Sequence, residues 1–257
     1  MAAFLDMTSD YLSGGFKRPR EKYAFQDDVN TSTSSLSASA PLREENSAPV
    51  NLQAVLPSCD DPADDSLEAI AAEITACTRC GLCETRTNAV PGEGVTKPLV
   101  MVIGEGPGED EDRSGRPFVG RAGQLLDRML DSRGKIGLSR NTNCYIANIV
   151  KCRPPENRDP EPEEITACFP YLEGQIQILR PDLILCAGRV AAQKLLKTSK
   201  GINSLRGVFS EFYTVGRVVP VLCTFHPSAI LRDETLKRPA WEDLKLLRSK
   251  LNSLNEE

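Results

Sequence analysis

Residues 99–130, LVMVIGEGPGEDEDRSGRPFVGRAGQLLDRML, predict a strand, a glycine-rich turn and a helix in direct succession. The apolar run at 99–103 is followed at once by glycines, which is typical of a strand buried on both faces of a parallel sheet. The predicted helix carries one apolar face, made of Leu125, Leu126, Met129 and Leu130. A strand, a tight turn and a helix in this order are the repeating unit of an α/β fold.

The same alternation continues towards the C-terminal end of the chain. Two more apolar runs predict buried strands, at 144–150 and 183–188. Residues 208–225 predict an antiparallel excursion that leads into a last strand ending at Phe225. Helical spacing is found at 66–80, 160–180, 190–196 and 241–251. Pro170 is expected to bend the helix that contains it. We therefore predict a three-layer α/β/α sandwich with a mainly parallel central sheet.

The first 66 residues differ from the rest in composition and charge. They are rich in Ser, Ala and Pro, and hold five Lys/Arg against eleven Asp/Glu, a net charge of −6. We expect residues 1–66 to form a disordered acidic tail. Residues 67–257 hold 26 basic and 25 acidic residues, a net charge of +1, and are expected to form a single domain. The overall net charge of −5 therefore does not exclude a nucleic-acid partner.

Cysteine number and apolar runs exclude several classes of protein. Nine cysteines are an odd number, so complete disulfide pairing is impossible. The N-terminus lacks the apolar core and cleavage site of a signal peptide. No apolar run approaches the roughly 20 residues that are needed to span a bilayer. We expect a cytoplasmic protein with reduced thiols and no membrane partner.

Cysteine spacing predicts a metal site. Two pairs flank the glycine-rich segment, one with two intervening residues and one with fifteen: Cys77, Cys80, Cys152 and Cys168. Four thiolates are soft ligands that suit an iron–sulfur cluster or zinc, and do not suit magnesium or calcium. Cys83 extends the first pair, but we interpret it as a packed thiol beside the site. Cys186 and Cys223 fall within apolar runs and are interpreted as core thiols.

Polar residues in or after three predicted strands indicate a ligand pocket. The turn GEGPG at 104–108 follows the first strand, Asn148 interrupts the second, and His226, the only histidine, follows the last. Ligands of parallel α/β folds bind beyond the carboxyl ends of the strands. The turn lacks the Gly-Lys-Ser/Thr ending of a P-loop and does not fit the GxGxxG dinucleotide pattern. The segment therefore matches neither class of nucleotide site.

Three segments of the chain resemble a known family. GEGPGEDEDRSGRPFVGRAGQLLD, IANIVKCRPPENRDPEPEE and FHPSAILR are similar, in this order, to motifs of the iron–sulfur uracil-DNA glycosylases, family 4 of their superfamily. The resemblance covers about residues 67–255. It implies a uracil-DNA glycosylase-like fold and a monofunctional enzyme of base excision repair, which flips uracil out of DNA. Hydrolysis of the N-glycosidic bond would then leave an abasic site.

The resemblance also implies roles for individual residues. The ligands of a [4Fe–4S] cluster are matched by Cys77, Cys80, Cys152 and Cys168. Phe118 matches the aromatic residue on which uracil stacks, and Asn148 matches the amide that reads the uracil edge. His226 matches the histidine beside uracil O2, and Glu105 is assigned to positioning the attacking water. The pocket backbone is assigned to Gly104 and Gly106.

The segment after His226 resembles the loop that family members insert into the DNA minor groove. It contains Ser228, Ile230, Leu231 and Arg232. An apolar wedge there would fill the space left by a flipped nucleotide. The implied partner is uracil-containing DNA, single- or double-stranded, bound by a monomer associated with the nucleoid. Glu111 is a candidate for blocking the C5 methyl group of thymine.

Two other interpretations use the same residues. The four cysteines could hold a structural zinc ion in a nucleic-acid-binding module without turnover. The grouping of Glu105, Asn148 and His226 at strand ends argues against such a module. The covalent uracil-trapping branch of the superfamily carries a histidine-bearing insertion after the glycine-rich motif. RSGRPFVGRAGQ at 113–124 contains no histidine, which argues against that branch.

Overall fold

The computed structural model describes residues 67–131 and 135–254, all within one compact unit. The acidic tail expected at 1–66 lies outside the described residues, so its boundary with the domain stays a prediction. Within the described part of the chain, no helix has the length and apolar character needed to cross a membrane.

A six-stranded sheet lies at the centre of this unit. Its strands are β1 (Glu93–Gly94), β2 (Val100–Gly104), β3 (Cys144–Asn148), β4 (Leu183–Ala187), β5 (Phe209–Thr214) and β6 (Arg217–Thr224). Their order across the sheet is β1-β3-β2-β4-β6-β5. The four inner strands are parallel, and β1 and β5 are antiparallel edge strands. The mainly parallel sheet predicted from the sequence is confirmed.

The register of the inner strands aligns their carboxyl ends. Gly104 pairs with Asn148 where β2 and β3 end, and Ala187 pairs with Thr224 where β4 and β6 end. Every residue of β2, β3 and β4 is buried, which explains why these strands read as continuous apolar runs. The polar residues that end or follow the strands therefore gather at one edge of the sheet.

Helices connect the strands and cover both faces of the sheet. They are α1 (Leu67–Ala76), α2 (Leu82–Thr85), α3 (Glu109–Ser114), α4 (Arg121–Asp131), α5 (Pro162–Leu179), α6 (Arg189–Leu195), α7 (Ile202–Leu205), α8 (Pro227–Arg232) and α9 (Lys237–Leu254). Two short 3-10 helices are Pro155–Asn157 and Glu234–Leu236. Pro162 suits the first turn of α5 because its φ is already helical, and the helix continues through Pro170.

The helices form one layer on each face of the sheet. One core cluster joins alternate strand residues, such as Met101 and Ile103, to the apolar faces of α1, α5 and α6. The intervening residues, such as Val100 and Val102, are equally buried and point to the other face. On that face α4 and α9 pack together, and α9 contacts β6. The predicted three-layer α/β/α sandwich is confirmed.

The acidic segment after the glycine-rich turn forms the short helix α3. The carboxylate of Glu111 accepts a hydrogen bond from the backbone N–H of Gly108 at 3.0 Å, which caps the first turn. Acidic residues in this turn lie at the positive end of the helix dipole. The helix ends at Gly115, whose φ of 70° is a left-handed conformation that glycine adopts readily. This helix brings Glu111 towards the polar edge of the sheet.

Candidate active site

An open cleft lies beyond the carboxyl ends of the parallel strands, where the sequence predicts a ligand pocket. It holds about 1390 Å³ of empty space. The predicted site residues that line it are Glu105, Gly106, Phe118, Asn148, His226, Ser228 and Arg232. The fold thus brings together side chains that are far apart in the sequence.

Asn148 is the most deeply buried polar residue among those that line the cleft. It ends β3 and is only 1% exposed. Its Oδ1 atom is the one fully buried side-chain oxygen or nitrogen among the described residues that has no hydrogen-bond partner. An unsatisfied buried acceptor costs roughly 1–3 kcal/mol, so Oδ1 is suited to accept a hydrogen bond from a group that enters the cleft.

The loop that carries Phe118 is held in place by hydrogen bonds to its backbone. Phe118 has a φ of 53°, an uncommon conformation for a bulky residue. Arg140 donates to the carbonyl oxygens of Pro117 at 2.8 Å and Phe118 at 2.9 Å. Glu111 Oε1 accepts from the backbone N–H groups of Val119 and Gly120, each at 2.8 Å. Both oxygens of Glu111 are therefore engaged in holding this loop and the start of α3.

Gly104 allows Asn148 and Phe118 to lie directly over the end of β2. A Cβ atom at Gly104 would lie 2.4 Å from Asn148 Oδ1 and 2.5 Å from Phe118 Cζ, both far inside van der Waals contact. The rings of Phe118 and His226 are 5.7 Å apart between centroids, with an interplanar angle of 35°. The amide, the phenyl ring and the imidazole therefore line a slot on one side of the cleft.

His226 is a neutral hydrogen-bond donor in this arrangement. Its Nδ1 accepts from the backbone N–H of Ser228 at 3.2 Å and lies 2.8 Å from Ser228 Oγ. Because Nδ1 accepts, the ring proton is assigned to Nε2. Desolvation, together with the charge of Arg232, lowers the pKa of His226 to about 4. The imidazole is therefore uncharged at neutral pH.

Glu105 is the acidic group of the cleft whose protonation is most perturbed. Desolvation and the negative charge of Asp159, opposed by the positive charge of Arg189, raise the pKa of Glu105 to about 7. Asp159 and Arg189 form an ion pair and also line the cleft. Sequence reasoning missed both residues. Arg189 follows the end of β4, so the strand-end rule that found Asn148 and His226 could have found it too.

The residues predicted to contact DNA lie on α8 and differ in exposure. The segment resembling a groove-inserting loop is a six-residue helix, Pro227–Arg232. Ile230 is only 1% exposed, whereas Leu231 is 39% exposed. Arg232 is exposed and Ser228 is partly buried against His226. The structure therefore leaves Leu231, and not Ile230, available as an apolar wedge.

A second, smaller cavity is lined by thiols. Its cysteines are Cys77, Cys80, Cys83, Cys152 and Cys168. Each of the four predicted ligands accepts an N–H hydrogen bond at sulfur. Arg86 donates to Cys152 at 3.1 Å and the backbone of Lys151 to Cys168 at 3.2 Å. The backbone of Arg79 donates to Cys77 at 3.5 Å, and that of Leu82 to Cys80.

The thiols of this cavity are chemically suited to a thiolate-ligated metal group. Among the described residues, no three His, Cys, Asp or Glu side chains are arranged to hold a single metal ion. Burial raises the pKa of Cys168 to about 11 and also raises the pKa values of Cys80 and Cys152. A metal group must therefore displace protons from these thiols. The N–H hydrogen bonds favour the charged thiolate that such a group requires.

Comparison with known proteins points to one superfamily. The family model described as "Uracil DNA glycosylase superfamily" matches residues 91–245. A relative named Type-4 uracil-DNA glycosylase, from Sulfurisphaera tokodaii, is 45% identical over 188 residues, covering 72% of this chain and 84% of the relative. A relative of the same name from Saccharolobus solfataricus is 44% identical over 193 residues, covering 74% and 88%. The one from Thermotoga maritima is 41% identical over 189 residues, covering 72% and 95%.

Proposed function

The chain belongs to the uracil-DNA glycosylase superfamily and to its type-4 family, and from this premise we propose that it is a DNA glycosylase that removes uracil from DNA. It hydrolyses the N-glycosidic bond between uracil N1 and the sugar, and leaves an abasic site for base excision repair. The observation that carries the proposal is the unpartnered Oδ1 of Asn148, buried between Gly104 and Phe118.

Asn148 supplies base recognition. Uracil N3–H donates to the orphaned Oδ1, and the amide NH2 of Asn148 donates to uracil O4. Cytosine carries an acceptor at N3 and a donor at C4. The Oδ1 atom of the same fixed amide would then face an acceptor, and its NH2 group would face a donor. Leaving buried polar groups unpaired is the strongest way in which a pocket rejects a close analogue. One amide therefore discriminates uracil from the normal base that differs from it least in shape.

Phe118 and His226 act on the departing base. The base stacks on the Phe118 ring, whose position is fixed by the Arg140 and Glu111 hydrogen bonds. As the glycosidic bond breaks, negative charge develops on uracil, and the Nε2–H of neutral His226 donates to O2. The low pKa of His226 keeps this donor neutral, so it acts through a hydrogen bond and not as a cationic general acid. The imidazole thus stabilises the uracil anion by hydrogen bonding.

Glu105 holds the water that completes the reaction. The water oxygen bonds to the sugar carbon on which positive charge develops, the proton that it loses passes to the carboxylate of Glu105, and the electron pair of the broken bond leaves with uracil. The carboxylate form of Glu105 accepts a hydrogen bond from this water and stabilises the cationic sugar. The described residues that line the cleft include no lysine, so they offer no amine for a Schiff base. This supports a monofunctional enzyme that does not cut the strand.

DNA reaches the pocket by extrusion of the target nucleotide. Phe118 and Asn148 would contact the face and the edge of one base, which a stacked base pair does not expose, so the base must leave the helix. The exposed side chain of Leu231 fills the gap from the groove, while buried Ile230 anchors α8 behind it. Arg232 contacts a phosphate, since it is exposed beside the wedge.

A [4Fe–4S] cluster would be held by Cys77, Cys80, Cys152 and Cys168. The N–H hydrogen bonds to all four sulfurs support this ligand set, and Cys83 is kept as a neighbouring thiol. When bound, the cluster cross-links the segment after α1 to β3 and α5, and no bond-breaking step is assigned to it. A thiolate-ligated cluster suits a reducing compartment, which supports a cytoplasmic location.

The test of this proposal separates base excision from DNA binding. Asn148→Ala is expected to lower the single-turnover excision rate by roughly 100-fold or more, because the paired hydrogen bonds to uracil are lost. Affinity for DNA should change little, since phosphate contacts supply most of it. Asn252→Ala, at an exposed position of α9, is the matched control and should keep both properties. A rate for Asn148→Ala equal to the wild-type rate would mean that the pocket lies elsewhere.

A further inference from the structure

Lys151 is an anomaly in the interior of the domain. It is only 1% exposed and ranks among the largest fully buried side chains. Among the described residues, no carboxylate lies within ion-pair distance of its Nζ atom. Its side-chain partner is the neutral amide of Gln175, whose Oε1 accepts from Nζ at 2.7 Å. A buried charge is costly unless an opposite charge compensates it.

The partner of Lys151 is itself held in one orientation. Gln175 Nε2 donates to the carbonyl oxygen of Pro91 at 2.9 Å and lies 3.5 Å from the Tyr145 hydroxyl. With its NH2 group engaged there, Gln175 presents Oε1 to Lys151. The backbone of Lys151 is fixed on both sides, because its carbonyl accepts from Val90 at 2.7 Å and its N–H donates to Cys168 Sγ. These hydrogen bonds therefore hold the ammonium group of Lys151 in one position.

Lys151 lies at the thiol cavity, which becomes anionic when a metal group displaces the thiol protons. Lys151 lines that cavity together with the four predicted cluster ligands. It interacts electrostatically with Cys168, the thiol to which its own backbone donates. A cluster bound by four thiolates carries net negative charge in surroundings of low polarity. Lys151 has no carboxylate partner, and the cluster would carry negative charge. Each can therefore compensate the charge of the other.

We propose that Lys151 is the buried counter-ion of the iron–sulfur cluster, and that its positive charge helps to set the reduction potential of the cluster. The inference rests on the cluster ligation proposed above. Arg86 contributes a second positive charge at the edge of the cavity, because it is half-buried and donates a hydrogen bond to Cys152 Sγ. A fixed positive charge stabilises the more reduced and more negative state, so it raises the potential.

The experiment compares charge removal with hydrogen-bond removal in the full-length, cluster-loaded protein, prepared without oxygen. K151M removes the charge and keeps the length of the side chain. Q175M keeps the charge and removes its acceptor, so it is the matched control. Q175E introduces a carboxylate next to Nζ and cancels the charge without touching Lys151. Iron content, the rate of iron loss to a chelator, and the reduction potential by voltammetry are measured for each.

We expect K151M and Q175E to shift the potential in the negative direction, whereas Q175M leaves it close to the wild-type value. K151M should also lose iron to the chelator several-fold faster than the wild type. Potentials that are unchanged in both K151M and Q175E, or that shift equally in K151M and Q175M, would overturn the counter-ion role. A folded wild-type protein that holds no iron would overturn it too, through failure of the proposed cluster itself. If K151M does not fold, Q175E alone decides the result.

Discussion

At the scale of single residues, the proposed chemistry depends on one buried carboxyl group, that of Glu105. Burial in the cleft raises the pKa of Glu105 to about 7, with Asp159 adding to the rise and Arg189 opposing it. Below this pH the group is protonated and cannot hold the water as a carboxylate. His226 does not titrate in the same range, because its pKa is lowered to about 4. The pH dependence above pH 5 is therefore assigned to Glu105.

We expect the single-turnover excision rate to rise with pH through about pH 7 and then level off. Asp159→Asn should move the midpoint to lower pH, because a negative charge that favours the protonated form is lost. Arg189→Gln should move it to higher pH, because a positive charge that favours the carboxylate is lost. Glu105→Gln should be slow and independent of pH over this range. Midpoints that move in the same direction in both charge variants would contradict the assignment.

Sequence reasoning reached some of these residues and missed others for a physical reason. Asn148 and His226 stand out because each is a polar residue at the end of an apolar strand. Asp159 lies in a loop among other charged residues, and only the fold brings it beside Arg189 and Glu105. A shifted pKa depends on burial and on charges distant in sequence, so no local pattern could have indicated it.

At the scale of elements, the proposed cluster joins two distant parts of the chain. Cys77 and Cys80 lie after α1, while Cys152 follows β3 and Cys168 lies on α5. The segment between Cys152 and Cys168 also carries Asp159 into the cleft. Binding of the proposed cluster would therefore help to fix the position of the segment that carries Asp159 into the cleft.

We expect Cys152→Ala and Cys168→Ala to bleach the brown protein and to lower its melting temperature, because the cross-link is lost. Cys83→Ala is the matched control: it lines the same cavity, and it should keep its iron and its colour. Iron analysis, visible absorbance and thermal melting measure the outcome. Bleaching of the Cys83 variant with a Cys77→Ala protein that stays brown would show that the ligand set is different.

Elements with a strong local signal were predicted, and elements defined by distant contacts were not. The inner strands and α4 follow from apolar periodicity, which is a property of a few neighbouring residues. Helix α3 depends on Glu111 capping Gly108 and bonding to the loop of Phe118. Helix α8 packs against α4, and Ile230 is buried there although its motif suggested an exposed wedge. Such burial is decided by tertiary packing, which a motif does not contain.

At the scale of the whole molecule, binding of DNA by a chain of negative net charge requires a local basic face. Arg232 is exposed beside the cleft, whereas Lys237 is already paired with Glu234 at 2.7 Å. We expect Arg232→Ala to weaken binding to all sequences alike and to reduce the slope of affinity against salt by about 1, as for one lost phosphate contact.

Arg217→Ala is the control for this prediction. Arg217 begins β6, whose other end leads to His226, so it lies roughly 25 Å from the cleft edge at the rise of an extended strand. Its removal changes the net charge by the same amount and should leave affinity and salt slope nearly unchanged. An equal loss in both variants would indicate that net charge, and not a defined face, governs binding.

The central claim is that this cleft releases uracil from DNA and does not cut the strand. Its most direct measurement uses the full-length wild-type protein and an end-labelled oligonucleotide with one uracil, with thymine and cytosine oligonucleotides in parallel. Free uracil is quantified, and the strand is examined before and after alkali. We expect uracil release in equal amount to alkali-labile sites, breakage only after alkali, and no release from the thymine or cytosine strand. Absence of uracil release from folded, iron-loaded protein, or strand cleavage without alkali, would contradict the claim.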